Sequence, residues 1–431
     1  MPWNPFHSPH EKIRDPPSSR TRRQLLESVA APPGSEFETQ LRSGRTLKAS
    51  RKKPRTNPMI DNNPLSTQKW FNIELYWQCK ATIREMNRTA PPAVTRAERD
   101  LGKCLMNAGT GGDCGMYDQA ALENAARNLP SVQKLAKRTG LGCITVTRGG
   151  QCASYLKNKE TEGQSLRSSR PVKSSFQRPI KDMESSAWGT CAVVGRSPII
   201  KLSDNGVAID KHEAVWRFNL DSAPSEFAKY TGRKTTVRVM NQGSTHKAQD
   251  IHGKEKSLKQ WHPGEHQRWM NDVVKKKPGR QDWVAWHIRS GFHLDAMHKL
   301  YGVNVKVRLI SPKFIDWMLQ GYYEIMADLK RIGVPHLSCE INSMPGGTHA
   351  LFLALATCRN PVSLFGLSYS KEILTNRAAH LTYKWVPYEH HNWDFDGYIF
   401  RLLHIAGKAT ICTRDDASVA LNQLVQKQKK G

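Results

Sequence analysis

Cys191-Ala-Val-Val-Gly-Arg-Ser197 is the stretch whose reading decides the fold of this chain. Cys191–Val194 is a short β-rich run, and Gly195 ends it. Glycine lets a ligand come close to the backbone, and the hydroxyl of Ser197 sits beside it. Strand-to-loop turns of this kind bind nucleotides at the carboxyl edge of parallel sheets. Many purely structural turns look the same, so this segment carries no function by itself.

Working outward, further strand candidates are Ala214–Phe218, Thr235–Met240, Trp283–Ile288, Val305–Ile310 and Val362–Leu367. Helical patterns at Lys313–Ile332, His349–Thr357 and Phe395–Ala406 alternate with them. Strands alternating with helices predict an α/β fold, a Rossmann-like, largely parallel sheet flanked by helices, over residues 185–425. Gln242–Arg280, rich in Lys, His and Gly, breaks the pattern and reads as a long basic loop. Upstream, residues 1–66 are rich in Pro, Ser and Arg without periodicity and read as a disordered basic segment. Residues 67–152 read as mostly helical. Ala120–Leu129 and Val132–Ala136 repeat apolar residues at helical spacing, and Pro130 fits the first turn of the second helix. Residues 153–184 form a Ser/Lys/Arg-rich linker.

The chain has 431 residues, 38% of them hydrophobic, and a formal net charge of +27. Residues 1–60 hold twelve Lys/Arg against five Asp/Glu, a net of +7, which leaves +20 over the rest. Nucleic-acid binders concentrate charge in a tail or stripe, and neither aromatic interleaving nor a basic helix accompanies this diffuse excess. It suits an anionic substrate equally well. The longest apolar runs, such as Ala350–Ala356, are too short to span a bilayer, and no signal peptide or membrane anchor is visible. Nine cysteines without a CxxC pair argue against a zinc knuckle; their scatter suits an oxidising compartment, and their odd number leaves at least one thiol unpaired within the chain.

Cys191–Asn241 contains Gly195, Gly206, Ile209-Asp210, Val215, Arg217-Phe-Asn219, Ala223-Pro224 and Gly232-Arg-Lys-Thr-Thr236 in order. Together they resemble the long sialylmotif of the eukaryotic sialyltransferase family. Pro345-Gly-Gly347 through Ala354-Leu355, Cys358 and Leu364-Phe365-Gly366 resemble the short sialylmotif, and His391-Asn-Trp-Asp-Phe-Asp396 the very short one. The resemblance covers about half the chain; residues 1–185 show none. It implies a CMP-activated acidic sugar as donor, a glycan hydroxyl as acceptor, no cofactor or metal, no nucleic-acid partner, and residence in the Golgi lumen. It also implies a disulfide between Cys191 and Cys358.

Donor-binding residues implied by these motifs are Gly195, Arg196, Ser197, Asn219, Gly346 and Gly347. Gly346-Gly347 open the apolar helix, whose free N–H groups and dipole suit a phosphate or carboxylate. The Asn219 amide can read cytosine or ribose hydroxyls. His391 is the expected general base, since imidazole titrates near neutrality, with Asp396 placed to orient it or neighbouring backbone. His390 is the competing neighbour. His380, in His380-Leu-Thr-Tyr383, is the best match to the family's third motif and could bond the donor phosphate. Asp394-Phe-Asp396 matches a metal-binding DxD pattern by chance more readily than by function, and Asp394 is expected to cap the following helix.

Some positions depart from the family. Arg196 stands for the usual Asn, Pro198 for a Gly, Pro345-Gly346 for Ser-Thr, and Asp396 for Glu. These leave open a related donor such as a CMP-Kdo, or a relative that binds nucleotide or glycan without catalysis.

Overall fold

The computed structural model describes residues 64–89, 93–107, 114–137, 144–146, 183, 187–221, 223, 225–250, 264–275, 280–286, 297, 300–301, 305–339, 344–367 and 391–413. The chain divides into Met1–Asn63 and Pro64–Gly431, and the first unit lies outside the described residues. So do His380, His390 and all of the expected linker except Met183.

Among the described residues four helices come first: α1 (Pro64–Thr89), α2 (Arg96–Asn107), α3 (Gln119–Asn128) and α4 (Pro130–Lys137). Pro130 takes the first position of α4, where its missing N–H is not needed. Eight strands follow in one sheet: β1 (Thr145–Val146), β2 (Cys191–Val194), β3 (Ala214–Phe218), β4 (Val237–Met240), β5 (Gln281–Ala285), β6 (Val305–Ile310), β7 (Val362–Phe365) and β8 (Ala409–Ile411). Their order is β1-β6-β5-β4-β3-β2-β7-β8. Every pairing is parallel except that of β1 with β6, so the expected parallel α/β sheet is present.

Between the strands run α5 (Gly206–Asp210), α6 (Ala228–Thr231), α7 (Gln242–Gln249), α8 (Glu265–Trp269), α9 (Pro312–Arg331), α10 (Gly346–Thr357) and α11 (Trp393–Ile405). The described part of Gln242–Arg280 is thus not a plain loop. Asn241 caps α7 by accepting the Ser244 N–H, and α8 ends at the fully buried Trp269. Polar helices of one or two turns lack the apolar periodicity from which a helix is read.

The period of two along β2 divides the core. Cys191 and Val193 enter a large cluster with α9, α10 and α11, while Ala192 and Val194 face a smaller one with Ile200, Ile209 and Phe365. Both faces of β2 are buried, which is why its sequence is apolar throughout. Residues of α1 to α4, among them Leu75, Leu101, Leu122 and Val132, join the same large cluster. Helix α9 starts cleanly because Ser311 accepts the Phe314 N–H and Pro312 follows.

Three disulfides join described residues: Cys191–Cys358, as expected, with Cα atoms 6.2 Å apart, Cys79–Cys339 and Cys104–Cys114. Cys412 is free.

Candidate active site at the strand-order reversal

The strand order runs outward from β2 on one side through β3 to β6, and on the other through β7. Ligands of open α/β sheets bind at the carboxyl edge beside such a reversal. At this edge β2 and β7 come together. The Gly195 N–H donates to the Phe365 carbonyl at 2.7 Å, and the Ser197 N–H to the Gly366 carbonyl at 2.9 Å. A methyl group on Gly195 would lie 2.2 Å from the Gly366 oxygen. The expectation that Gly195 leaves room for a ligand is therefore corrected: its open face is filled by its own chain. Gly195→Ala is expected to destabilise the fold by ~1–3 kcal/mol through overpacking, measured by denaturant unfolding.

The reversal also gathers the glycines of α10. Both Gly195 and Gly347 border Leu367, at 2.8 and 3.2 Å from where their methyl groups would stand. A methyl group on Gly346 would meet Asn219 Nδ2 at 3.4 Å. Gly195, Asn219, Gly346 and Gly347 thus share one corner of the sheet.

Asn219 holds a positive φ of 52°, a conformation that asparagine tolerates better than most residues. Its Oδ1 accepts the Asn241 N–H at 3.1 Å, which ties the end of β3 to that of β4. The Nδ2 group donates no hydrogen bond among the described residues and faces Gly346. Asn219→Asp should keep the Asn241 bond but present a carboxylate in place of a donor. An anionic nucleotide would then bind about tenfold more weakly, by titration calorimetry, with little change in stability.

Beneath this corner three guanidinium groups converge on Asp221. Arg196 Nε lies 3.6 Å and Arg217 Nη1 3.5 Å from its oxygens, and Arg238 donates to the Asn219 and Asp221 carbonyls. Burial would raise the Asp221 carboxyl. Arg196 and Arg217, with the Ala223 N–H and Arg238, outweigh it and hold the pKa at about 2. Burial lowers Arg238 to about 10, with Asp221 opposing. Its guanidinium stacks 4.9 Å over the Trp269 ring and 5.8 Å over Trp283. Ser197 is buried and opens a 3₁₀ turn over Pro198–Leu202.

His391 stands one residue before the cap of α11, half-buried, with its ring edge-on to Trp393 at 5.0 Å. The cap is Asn392, whose Oδ1 accepts the Phe395 N–H at 3.1 Å, and not Asp394 as expected. Asp396 is also corrected. Its Oδ1 accepts from the Thr348 hydroxyl at 2.7 Å and its Oδ2 has no hydrogen-bond partner, so the carboxyl faces the core rather than the imidazole. In the first turn of α10, His349 stacks on Trp286, the residue after β5, with centroids 4.2 Å apart.

Asp221, Arg238, Thr348 and Tyr322 escaped the sequence reading. The visible signals were an Arg amid the apolar strand Val237–Met240 and a Thr early in an otherwise apolar helix.

A largely parallel sheet with Asn219 and the first turn of α10 at its strand-order reversal has the open α/β architecture whose ligands bind at such a reversal. The chain belongs to glycosyltransferase family 29 (sialyltransferase), whose model matches residues 151–408. It is similar to human beta-galactoside alpha-2,6-sialyltransferase 1, at 49% identity over 55 residues (12% of this chain, 13% of the relative). It is also similar to the bovine beta-galactoside alpha-2,6-sialyltransferase 2, at 33% identity over 136 residues (30% and 25%). The chain spans about a quarter or less of the length of these curated relatives. A crystal structure of a mammalian sialyltransferase aligns over 53% of this chain and 70% of its own, with 18% identity and a TM-score of 0.34. No described helix is long and apolar enough to cross a membrane.

Proposed function

We propose that the protein transfers sialic acid, or a related acidic sugar such as Kdo, from its CMP-linked donor to a glycan hydroxyl with inversion. The observation that carries this reading is the corner where Asn219 Nδ2 meets the first turn of α10 at the strand-order reversal. In the proposed reaction the acceptor oxygen attacks the anomeric carbon, the bond to the phosphate oxygen breaks, and CMP leaves with that bond's electron pair. His391 takes the acceptor proton. Asn219 reads the nucleoside, while Arg196, Ser197 and the α10 N-terminus face the donor's negative charges. His380 is proposed to bond the phosphate. A donor with a single phosphate leaves no diphosphate to neutralise, so neither metal nor other cofactor enters the proposal. Three disulfides suit an oxidising compartment such as the Golgi lumen.

A second reading, a non-catalytic relative that binds CMP or glycan, is favoured by Arg196 being paired with Asp221. The deciding experiment incubates the purified protein with CMP-sialic acid or CMP-Kdo and glycan acceptors and measures CMP release, alongside calorimetry with CMP. Release above the rate of spontaneous hydrolysis supports transfer, and binding without release supports the second reading. An absence of both overturns the donor assignment.

A further inference from the structure

The carboxyl of Asp396 lies where α9, α10 and α11 meet, and the side chain is 2% exposed. The Thr348 hydroxyl of α10 donates to one of its oxygens. The other oxygen, Oδ2, and the Tyr322 hydroxyl of α9 are both buried and neither has a hydrogen-bond partner. Tyr322 packs edge-on to Phe395, the residue before Asp396, with centroids 4.6 Å apart, so phenol and carboxyl are neighbours that lack only good bonding geometry. Tyr323 stands beyond Tyr322, and on α11 itself Arg401 is turned away to the Leu105 carbonyl of α2. His404, at the far end of α11, faces the Ala409 carbonyl of β8. No basic side chain pairs with Asp396 among the described residues.

An ionised carboxylate in this place would have one hydroxyl donor and no counter-charge, an arrangement buried anions avoid. A neutral carboxylic acid fits both neighbours: one oxygen accepts from Thr348, and the O–H can donate to Tyr322 after a small rotation. We infer that Asp396 is held as a neutral acid that ties the first turns of α10 and α11 to α9, and that it acts as a positioning residue rather than a catalytic one. The two turns it joins carry Gly346-Gly347 and follow His391. Its importance for transfer rests on the function proposed above, but its protonation state does not. Burial raises the carboxyl well above the ordinary carboxylate range, against the opposing pull of the Thr348 and Tyr322 hydroxyls.

The sign of the pH effect follows. In the unfolded chain Asp396 ionises near its ordinary value of about 3.9, while in the folded protein it keeps its proton. As pH rises above that value, ionisation favours the unfolded state, and folded stability falls until the folded group also titrates. The substitution Asp396→Asn supplies an amide, an isostere of the neutral acid that does not ionise, and would remove this loss.

The test compares the intact protein with Asp396→Asn. The infrared difference spectrum at neutral pH should show the C=O band of a protonated carboxyl, shifted by Thr348→Val and by Tyr322→Phe. Carboxylate bands in its place overturn the inference. The melting temperature of Asp396→Asn relative to the parent should rise from pH 5 to pH 8; a relative fall, as for a carboxylate stabilised by ionisation, overturns it, and so does failure of Asp396→Asn to fold. Asp396→Ala should speed amide exchange in the first turns of α10 and α11 about tenfold, the loss of one hydrogen-bonded tie, and the Asn variant should restore protection. Exchange unchanged in Asp396→Ala removes the positioning role. These measurements use no donor or acceptor, so they stand whether or not transfer is found.

Discussion

His391→Ala is expected to lower transfer by roughly a hundredfold to ten-thousandfold while CMP affinity stays nearly the same, the usual worth of a positioned general base. The imidazole is proposed to touch the acceptor proton and not the nucleotide, so the loss belongs to the transition state. Position is what makes the residue useful. Asn392 caps the helix that follows, and Phe395, Ile399 and Leu402 are fully buried, so the core fixes the turn from which His391 projects. His390→Ala, one residue away, is expected to cost much less. Rates and CMP affinities measured on both variants decide the matter. A dead His390→Ala beside an active His391→Ala would place the base at the neighbouring residue, and two active variants would leave the proposed mechanism without its histidine base.

The second large effect is on stability. Cys191 opens β2 and Cys358 closes α10, and their bridge spans 167 residues of chain. Constraining so long a loop in the unfolded state is worth roughly 4–5 kcal/mol on the chain-entropy model. The Cys191→Ser, Cys358→Ser double variant should therefore melt about 5–10 °C lower, given the entropy of unfolding of a domain this size. A single variant should do worse, since it leaves an unpaired thiol in the buried core. Scanning calorimetry of parent and double variant checks the figure; an unchanged melting temperature would mean that packing alone holds β2 against α10.

The sheet was readable in the sequence wherever a strand is buried on both faces. Cys191–Val194, Ala214–Phe218 and Val305–Ile310 stand in the structure with the bounds that their apolar runs suggest. Strands β1 and β8 were not foreseen, being two and three residues long at the sheet's edges and held by pairing rather than by composition. The site divides in the same way. The motif residues Asn219, Gly346 and Gly347 come together at one corner because each sits at a recognisable strand end or helix start, and the Cys191–Cys358 bridge expected from the resemblance is present. Side-chain partners were beyond reach. Arg196 pairs with a residue 25 positions on, and Asp396 with one 48 positions back, and neither periodicity nor spacing encodes such meetings. The roles given to Gly195 and Asp396 changed for the same reason: what fills the space around a residue comes from distant chain.

The bridge between Cys79 and Cys339 sets a timetable for synthesis. The two cysteines are 260 residues apart, so at ~5–20 residues per second the first waits about 13–52 s for the second to be made. Cys104 emerges as a rival partner only 25 residues after Cys79. Its own partner, Cys114, follows ten residues later, within about 2 s at those rates. Early closure of that short loop withdraws the nearest rival before Cys143, Cys152 and Cys191 emerge, and the native partner arrives only after the end of α9. Helix α1 is therefore locked to the domain late, and a ribosome-bound chain halted before residue 339 should carry Cys79 as a reactive thiol.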